Sequence, residues 1–250
     1  MNVVIQPRYK YPRTNHLPFS QGLTDGDKRM MSDDCLCDKL VVITEKMDGE
    51  NTTIYCDGFH ARSIDSAHRD YHSWLIQYIQ NFMYKIPDNY RICGEYLYAK
   101  HSIEYNYLPS YFEVFSVWMN DICCSWEHTK AMCDMLNLYH VPVLYEGLYR
   151  RALVKEIAED VVRRGGEGIV VRNSGNFQLK DWESNIAKYV RANHVQTDEH
   201  WSQGHIEHNK LRDCTSCKHG GFNDHWNDYF CNNRESCHDF SLWEKGPDIK

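Results

Sequence analysis

The chain of 250 residues is 42% hydrophobic and 13% aromatic, a composition typical of a globular protein with one large core or two modest domains. It contains no run of about 18 apolar residues, and its first seven residues lack the regions of a signal peptide, so we expect a protein that acts in the cytoplasm without spanning a membrane. A formal net charge of -7 disfavours a broad surface that coats nucleic acid, because such surfaces cluster lysine and arginine.

The first informative segment joins two predicted strands, residues 40–44 and 52–56, through an Asp-Gly turn. Lys46 is therefore predicted at the end of a strand. A free lysine has a pKa of about 10.4, so its amine attacks an electrophile only where burial or neighbouring cations lower that pKa. The alternative is an edge-strand lysine paired with Glu45 or Glu50.

Later strand-like segments each carry one residue suited to a nucleotide site, in chain order Arg62, Glu95, Phe115, Glu167 and Lys188. Carboxylates are disfavoured inside strands unless a cation meets them. Taken singly, each of these residues also has an ordinary interpretation. The alternatives are a surface arginine, a glutamate paired with Arg91, a core phenylalanine, a glutamate of a glycine-rich loop and an edge-strand lysine.

Apolar residues at helical spacing predict three helices between the strands. They cover residues 71–85, a stretch to about residue 139 that Ser125 caps, and residues 152–164. With at least five strands besides, the pattern indicates an α+β fold with a largely antiparallel sheet.

The order and spacing of these residues, over about residues 40–195, resemble the ATP-dependent RNA ligase family, of the nick-sealing type, within the covalent nucleotidyltransferase superfamily. Residues 46–49, Lys-Met-Asp-Gly, look like its nucleophile motif. The resemblance implies a nucleotidyltransferase (ATP-grasp-like ligase) domain with antiparallel sheets and flanking helices. We expect this domain to span residues 40–200, with residues 1–39 as an extension packed on it and residues 201–250 as a tail.

The resemblance also implies a role for each candidate residue. The expected catalytic residues are Lys46 as nucleophile, Asp48 as a residue that shapes the turn and assists, Glu167 as metal ligand and Lys188 as a contact of the α-phosphate. The expected nucleotide-binding residues are Glu45, Asn51, Arg62, Glu95, Phe115, Lys188 and Arg191. Arg62 and Glu95 would orient the ribose, Phe115 would stack on adenine, and Asn51 matches an asparagine typical of nick-sealing RNA ligases.

The chemistry requires these residue types. A triphosphate is strongly anionic, so attack on its α-phosphorus needs cations and a Mg²⁺ or Mn²⁺ ion held by carboxylates or waters. Lys188, with Arg191, is expected to lower the pKa of Lys46 by like-charge repulsion. The resemblance implies transfer of AMP from ATP to Lys46, then to a 5′-phosphate end, and its displacement by a 3′-hydroxyl.

The chain departs from the family at the fifth motif, which usually offers two lysines separated by one residue. Here Val190 takes the second place and Arg191 follows it, which leaves open which cation contacts the α-phosphate. Basic residues also concentrate around this motif, either as a local patch for nucleic acid or as solvated charges. They are Arg163, Arg164, Arg172, Lys180, Lys188 and Arg191.

The tail is rich in cysteine and histidine and resembles a small zinc module. Cys214 and Cys217 have the spacing of a zinc knuckle, and Cys231 with Cys237 would complete a site for a structural Zn²⁺. His219, His225 or His238 are alternatives to one of these cysteines. With 11 cysteines in the chain, free thiols are the competing interpretation.

The expected substrate is RNA with nicked or bridged ends, DNA being an alternative, and a monomer is favoured. Three other functions stay open at this point. A DNA ligase would share the adenylylation step, a capping-type guanylyltransferase would use GTP, and a non-catalytic module would bind nucleic acid without forming a covalent nucleotide.

Overall fold

The structure, a computed structural model, describes residues 6–24, 26–65, 67–192 and 206–212, and the backbone of two strands at residues 220–223 and 228–231. Three of the four predicted zinc ligands, Cys214, Cys217 and Cys237, lie outside the described residues. For Cys231 only the backbone is described.

The described part of the chain contains three α-helices and thirteen strands. The helices are α1 Ser73–Ile79, α2 Trp126–Leu136 and α3 Arg151–Arg163. The strands are β1 Leu40–Glu45, β2 Glu50–Tyr55, β3 Gly58–Ala61, β4 Tyr90–Tyr96, β5 Phe112–Met119, β6 Ile122–Cys123, β7 Tyr139–His140, β8 Val143–Leu148, β9 Gly168–Asn173, β10 Phe177–Gln178, β11 Ile186–Val190, β12 Gly220–Asn223 and β13 Asp228–Cys231.

The first sheet has the strand order β11-β9-β1-β8 and is antiparallel throughout. Alternate apolar residues of β1, β9 and β11 face one side and pack against the apolar stripe of α3. This layer buries Val41, Ile43, Ile169, Val171, Ala187, Tyr189, Val154, Ala158 and Val161. The opposite face of β1 and β11 carries Lys188 and leads to Lys46, so burial on one side leaves the other for the site.

The second sheet has the order β10-β6-β5-β4-β2-β3, with β7 added parallel to β5. Helices α1 and α2 contribute to its core, whose central residues are Ile54, Ile92, Val114, Val117, Leu75, Met132 and Leu136. A bulge interrupts β5 beside Gly94, because Cys93 pairs with Ser116 and Gly94 with Val114. Phe115 is the extra residue, and the bulge turns its side chain away from this core.

A buried arginine connects the two sheets. Arg172 of β9 is 2% exposed, and its guanidinium donates hydrogen bonds to the carbonyl oxygens of Phe115 at 3.3 Å and Cys124 at 2.5 Å. The rings of Trp126 and Phe177 lie 5.7 and 5.8 Å from the guanidinium carbon. The two sheets are therefore held face to face around one cation.

The predictions for secondary structure are confirmed with two corrections. Helices α2 and α3 lie where the periodicity places them, and the Ser125 hydroxyl caps α2 by accepting from the His128 N–H at 3.2 Å. The helix predicted over residues 71–85 is wrong in length, because the Asn81 amide donates to the carbonyl of Tyr78 and ends α1 early. The β5–β7 pair is parallel in an otherwise antiparallel sheet. None of the described helices combines the length and hydropathy needed to cross a membrane.

Candidate active site

Lys46 follows β1 directly and lies against the entry of β9. The backbone N–H of Lys46 donates to the Gly168 carbonyl at 2.9 Å, and its Nζ lies 2.5 Å from Oε2 of Glu167. Position 168 requires glycine, since a Cβ there would lie 1.9 Å from the Tyr189 carbonyl oxygen. This close approach of β9 and β11 brings Glu167 to the lysine.

The surroundings of Lys46 are more acidic than expected. Burial lowers the pKa of Lys46, but the carboxylates of Glu167, Glu95 and Asp48 raise it, and the resulting pKa lies above the usual lysine value. The prediction of a lowered pKa is therefore wrong in this structure, because it considered burial and the neighbouring cations but not these carboxylates. Pairing of Lys46 with Glu50 is also excluded, since Glu50 binds Tyr71 and His72.

Glu95 points from β4 into the same site. Its Oε1 accepts the Gly49 N–H at 3.1 Å. Burial raises the pKa of Glu95 to about 8; the nearby Lys46 lowers it, and the negative charge of Glu167 raises it. Gly49 allows the approach of the turn, because a Cβ there would lie 2.5 Å from the Tyr96 carbonyl oxygen. Arg91 donates instead to the Asn120 carbonyl, so it is not the partner of Glu95.

Asp48 organises the loop that follows β4. Its Oδ2 accepts three hydrogen bonds, from the Ser102 N–H at 2.8 Å, the Ser102 hydroxyl at 2.7 Å and the Ile103 N–H at 2.9 Å. The Asp48 N–H in turn donates to the Tyr105 hydroxyl at 2.9 Å. The turn at Asp48 and Gly49 is thus fixed by a loop more than 50 residues away in sequence, which no local pattern indicates.

Lys188 reaches the site from β11. Its Nζ lies 3.4 Å from Oδ1 of Asp27, and its side chain is 19% exposed. Burial lowers the pKa of Lys188, Asp27 raises it, and the charge of Lys46 lowers it again. The expected repulsion between Lys46 and Lys188 is therefore present, but it accompanies a lowered pKa of Lys188 and not of Lys46.

The comparisons with known proteins assign a family to this part of the chain. A model of the RNA ligase family matches residues 39–190. This range includes every residue of the site that is named in the preceding paragraphs except Asp27. The chain belongs to the RNA ligase family. Comparison with curated proteins finds no match.

Solved structures of ATP-dependent RNA ligases share the fold. Form 1 of an archaeal ATP-dependent RNA ligase is 19% identical with a TM-score of 0.54, over 76% of this chain and 50% of that one. Form 2 is 19% identical with a TM-score of 0.52, over 73% of this chain and 48% of that one. The chain thus spans about half the length of the archaeal ligases it matches. A Naegleria gruberi RNA ligase mutant with ATP and Mn is 14% identical with a TM-score of 0.45, over 73% and 60% of the two chains.

Three candidate nucleotide-binding residues of this RNA ligase family member, Asn51, Arg62 and Glu95, lie on or next to the neighbouring strands β2, β3 and β4. Asn51 of β2 pairs with Glu95 of β4, and its buried Oδ1 has no hydrogen-bond partner among the described residues. Ala61, the last residue of β3, pairs with Thr52 of β2. Arg62 comes next in the chain and therefore lies opposite Asn51, and the Arg62 side chain is exposed.

Three further nucleotide-binding candidates, Phe115, Glu45 and Arg191, lie on β5, at the end of β1 and directly after β11. Phe115 is half-buried and meets the Tyr11 ring edge-on, with the centroids 5.0 Å apart. Burial raises the pKa of Glu45, while Arg164 lowers it. Arg191 follows β11, and its N–H donates to the Glu167 carbonyl at 2.9 Å. Val190, in the second place of the fifth motif, is 1% exposed.

The predicted basic cluster does not form one surface. Arg172 is buried between the sheets, and Arg163 and Arg164 both pair with Asp160 at the end of α3, at 2.8 and 2.9 Å. Lys188 faces the site instead of solvent. A basic patch built from all six residues is therefore wrong. Arg172 and Lys188 lie on the face of β9 and β11 that is turned away from α3, whereas Arg163 and Arg164 lie at the end of α3 on the other side.

Proposed function

We propose that this chain carries the adenylyltransferase unit of an ATP-dependent RNA ligase, with Lys46 as the residue that accepts AMP. The observation that carries the proposal is the convergence of Lys46, Glu167, Glu95 and Lys188 on one site within the segment that matches the family. A second lysine and two carboxyl groups around the Lys46 amine suit attack on an anionic phosphate.

The first step requires Lys46 as a neutral amine. The ammonium group donates to Glu167 at 2.5 Å, so one of its protons must pass to the carboxylate or to water before attack. The Lys46 nitrogen then bonds to the α-phosphorus, the bond from that phosphorus to the bridging oxygen breaks, and pyrophosphate leaves. Lys188 offsets the charge on the α-phosphoryl oxygens.

The acidic residues fit a divalent cation. Glu167 and Glu95 repel each other strongly enough that the charge of Glu167 contributes to the raised pKa of Glu95, and a cation relieves such repulsion. Mg²⁺ or Mn²⁺ prefers oxygen ligands, which Glu167 provides, whereas Oδ2 of Asp48 is occupied by three donors. Bound there, the ion would supply positive charge to the triphosphate.

RNA with a nick or bridged ends is the proposed substrate, and the joined product is a phosphodiester between 5′-phosphate and 3′-hydroxyl ends. Within the described part of the chain, Oδ1 of Asn51 lies beside Glu95 without a hydrogen-bond partner, which supports a polar contact with the nucleotide or the RNA end. DNA ends and GTP are the alternatives that the experiment below must separate.

The test is incubation with α-³²P-labelled ATP or GTP and Mg²⁺, followed by denaturing electrophoresis. Label from ATP is expected on the wild-type chain and on Lys155→Ala, which removes an exposed lysine of α3. Lys46→Ala should carry none. Label from GTP would identify a guanylyltransferase, and no label with either nucleotide would overturn the proposal. Nicked RNA and nicked DNA duplexes then distinguish the two ligases.

Further parts of the assignment are proposals of the same kind. We propose division into an extension (1–39), the catalytic domain (40–200) and a tail (201–250), in which Cys214, Cys217, Cys231 and Cys237 hold Zn²⁺, and action as a monomer in the cytoplasm. Metal analysis tests the zinc site: about one zinc per chain is expected, and Cys214→Ser with Cys217→Ser should lose it. An unchanged zinc content in that double variant would contradict the ligand set.

A further inference from the structure

Residues 15–20, which precede the region matched by the family model, pair with the edge of the first sheet like an additional strand. This segment runs along the free edge of β11, where the Lys188 N–H donates to the Asn15 carbonyl at 2.9 Å and the Leu17 N–H donates to the Lys188 carbonyl at 2.8 Å. The Ser20 hydroxyl accepts the Val190 N–H at 3.0 Å. Backbone bonds therefore fix this segment on both sides of Lys188, outside residues 39–190.

A chain of polar side chains leads from this segment to Lys188. His16 is fully buried, with Nδ1 2.8 Å from the Ser20 hydroxyl and Nε2 3.1 Å from Oδ2 of Asp27. Thr24 donates to the same Oδ2 through its N–H at 3.2 Å and its hydroxyl at 2.9 Å. With Oδ2 taken, Oδ1 of Asp27 faces Lys188 at 3.4 Å.

The charges around Lys188 indicate what its contact with Asp27 does. Lys46 faces Lys188 as a like charge, while Asp27 and Glu167 face it as opposite charges, and Glu167 is engaged by Lys46 at 2.5 Å. Within the described residues, Lys188 forms its ion pair with Asp27. The contact of 3.4 Å is longer than a tight charged hydrogen bond, so Lys188 can contact a phosphate oxygen without leaving Asp27.

We propose that Asp27 is a positioning residue for nucleotidyl transfer: it directs the Lys188 ammonium group toward the α-phosphate, and His16 and Thr24 fix the orientation of Asp27. This inference rests on the proposed function. It gives the N-terminal extension a part in the reaction, through a carboxylate that acts on Lys188 without contacting the nucleotide.

A matched control exists at another contact between the extension and the catalytic domain. Asp57 pairs with Arg8 at 2.6 Å and accepts the Gln6 N–H at 2.9 Å, so it also joins the extension to the domain, and its side chain is 15% exposed against 17% for Asp27. Asp57→Asn weakens the attachment of the extension without touching Lys188. It separates loss of attachment from loss of positioning.

The experiment is a double-mutant cycle on the single-turnover rate of lysyl-AMP formation at saturating ATP, using the full chain. Asp27→Asn should slow the reaction about tenfold or more in the wild-type background. In the Lys188→Ala background, the same substitution should change the rate less than about twofold, because its target is gone. Asp57→Asn should react as the wild type does, and thermal unfolding verifies that all variants fold.

The outcomes separate the two proposals. Equal slowing by Asp27→Asn in both backgrounds, slowing of the same size by Asp57→Asn, or no slowing at all would overturn the positioning role. Absence of lysyl-AMP on the wild-type chain would instead overturn the proposed function. A variant that fails to fold is replaced by His16→Gln, which should reproduce the slowing and its loss in the Lys188→Ala background.

Discussion

Nζ of Lys46 lies 2.5 Å from Oε2 of Glu167, so the proposed nucleophile and the proposed metal ligand form an ion pair. The side chain of Glu167 is 6% exposed and that of Lys46 is 25% exposed, so water screens the pair only partly. This contact, together with Glu95 and Asp48, holds the pKa of Lys46 above its usual value despite burial.

Glu167→Gln is therefore expected to lower the pKa of Lys46, because burial and the neighbouring Lys188 then act with less opposition. A decrease of about one unit or more is expected, measured by NMR titration of ¹³C-labelled lysine side chains. Lysyl-AMP formation should decrease at the same time, since a neutral amide replaces the carboxylate that is proposed to bind the divalent cation. Glu50→Gln is the control, because Glu50 binds Tyr71 and His72; an unchanged Lys46 pKa in Glu167→Gln would refute the assignment.

The strands that form this site follow from the sequence, because apolar runs and glycine turns are local signals. Residues 40–44 predict β1, and the Gly-Glu-Gly segment before residue 169 predicts the entry of β9. The identity of Lys46 and Glu167 as partners follows only from the family resemblance, since 121 positions separate them.

Other parts of the site have no sequence signal at all. Asp27 is one of 35 acidic residues, and its place beside Lys188 depends on the extension adding to the edge of β11. The bulge at Phe115 likewise arises from pairing between β4 and β5 and not from a turn residue. The high pKa of Lys46 could not be predicted because it depends on which strands bring their carboxylates together.

Glu113 provides a prediction about pH. It is 1% exposed, and neither carboxylate oxygen has a hydrogen-bond partner in the part of the chain that the structure describes. Burial and, to a smaller extent, the charge of Glu45 raise the pKa of Glu113 to about 8, although Arg212 acts in the opposite direction. The folded protein thus binds this proton more tightly than the unfolded chain, in which the pKa is about 4.3.

It follows that the contribution of Glu113 to the free energy of unfolding falls as the pH rises from about 4.3 to about 8 and is constant above that. Glu113→Gln lacks this loss. At pH 9 we expect it to be more stable than the wild type by about 2 kcal/mol or more, with little difference at pH 4.5, in urea unfolding at both pH values. The exposed Glu159→Gln should show no such pH-dependent gain; equal stability of Glu113→Gln and wild type at pH 9 would contradict the burial argument.

The next prediction concerns Arg172, the arginine between the sheets: we expect that a lysine at this position cannot maintain the stability of the fold. Its planar guanidinium donates to two carbonyls on separate segments and lies near two aromatic rings. Arg172→Lys should reduce the free energy of unfolding by about 2 kcal/mol or more, because one ammonium group cannot satisfy both carbonyls. Chemical denaturation measures this loss, with Arg163→Lys at the exposed end of α3 as control. A loss no larger than that of the control would show that the bridge contributes little.

The last prediction concerns the segment 206–212, which lies on the loop that fixes Asp48. Asn209 is 1% exposed; its amide donates to the carbonyls of Leu97 and Ala99 at 2.8 and 3.3 Å, and its Oδ1 accepts the Tyr105 N–H at 2.8 Å. Tyr105 in turn accepts the N–H of Asp48. A residue far beyond the final strand of the first sheet is thus connected to the turn that follows Lys46, the proposed nucleophile.

Asn209→Ala leaves these buried backbone groups without partners, so the free energy of unfolding should fall by about 2 kcal/mol or more. The loop of residues 97–105 should also exchange its amide hydrogens faster, and lysyl-AMP formation should slow, because the Asp48 turn loses its support. Lys210→Ala, which removes a side chain that is 68% exposed, is the adjacent control and should change neither property. Faster exchange in Asn209→Ala without any slowing of adenylylation would show that the loop supports the fold but not the reaction.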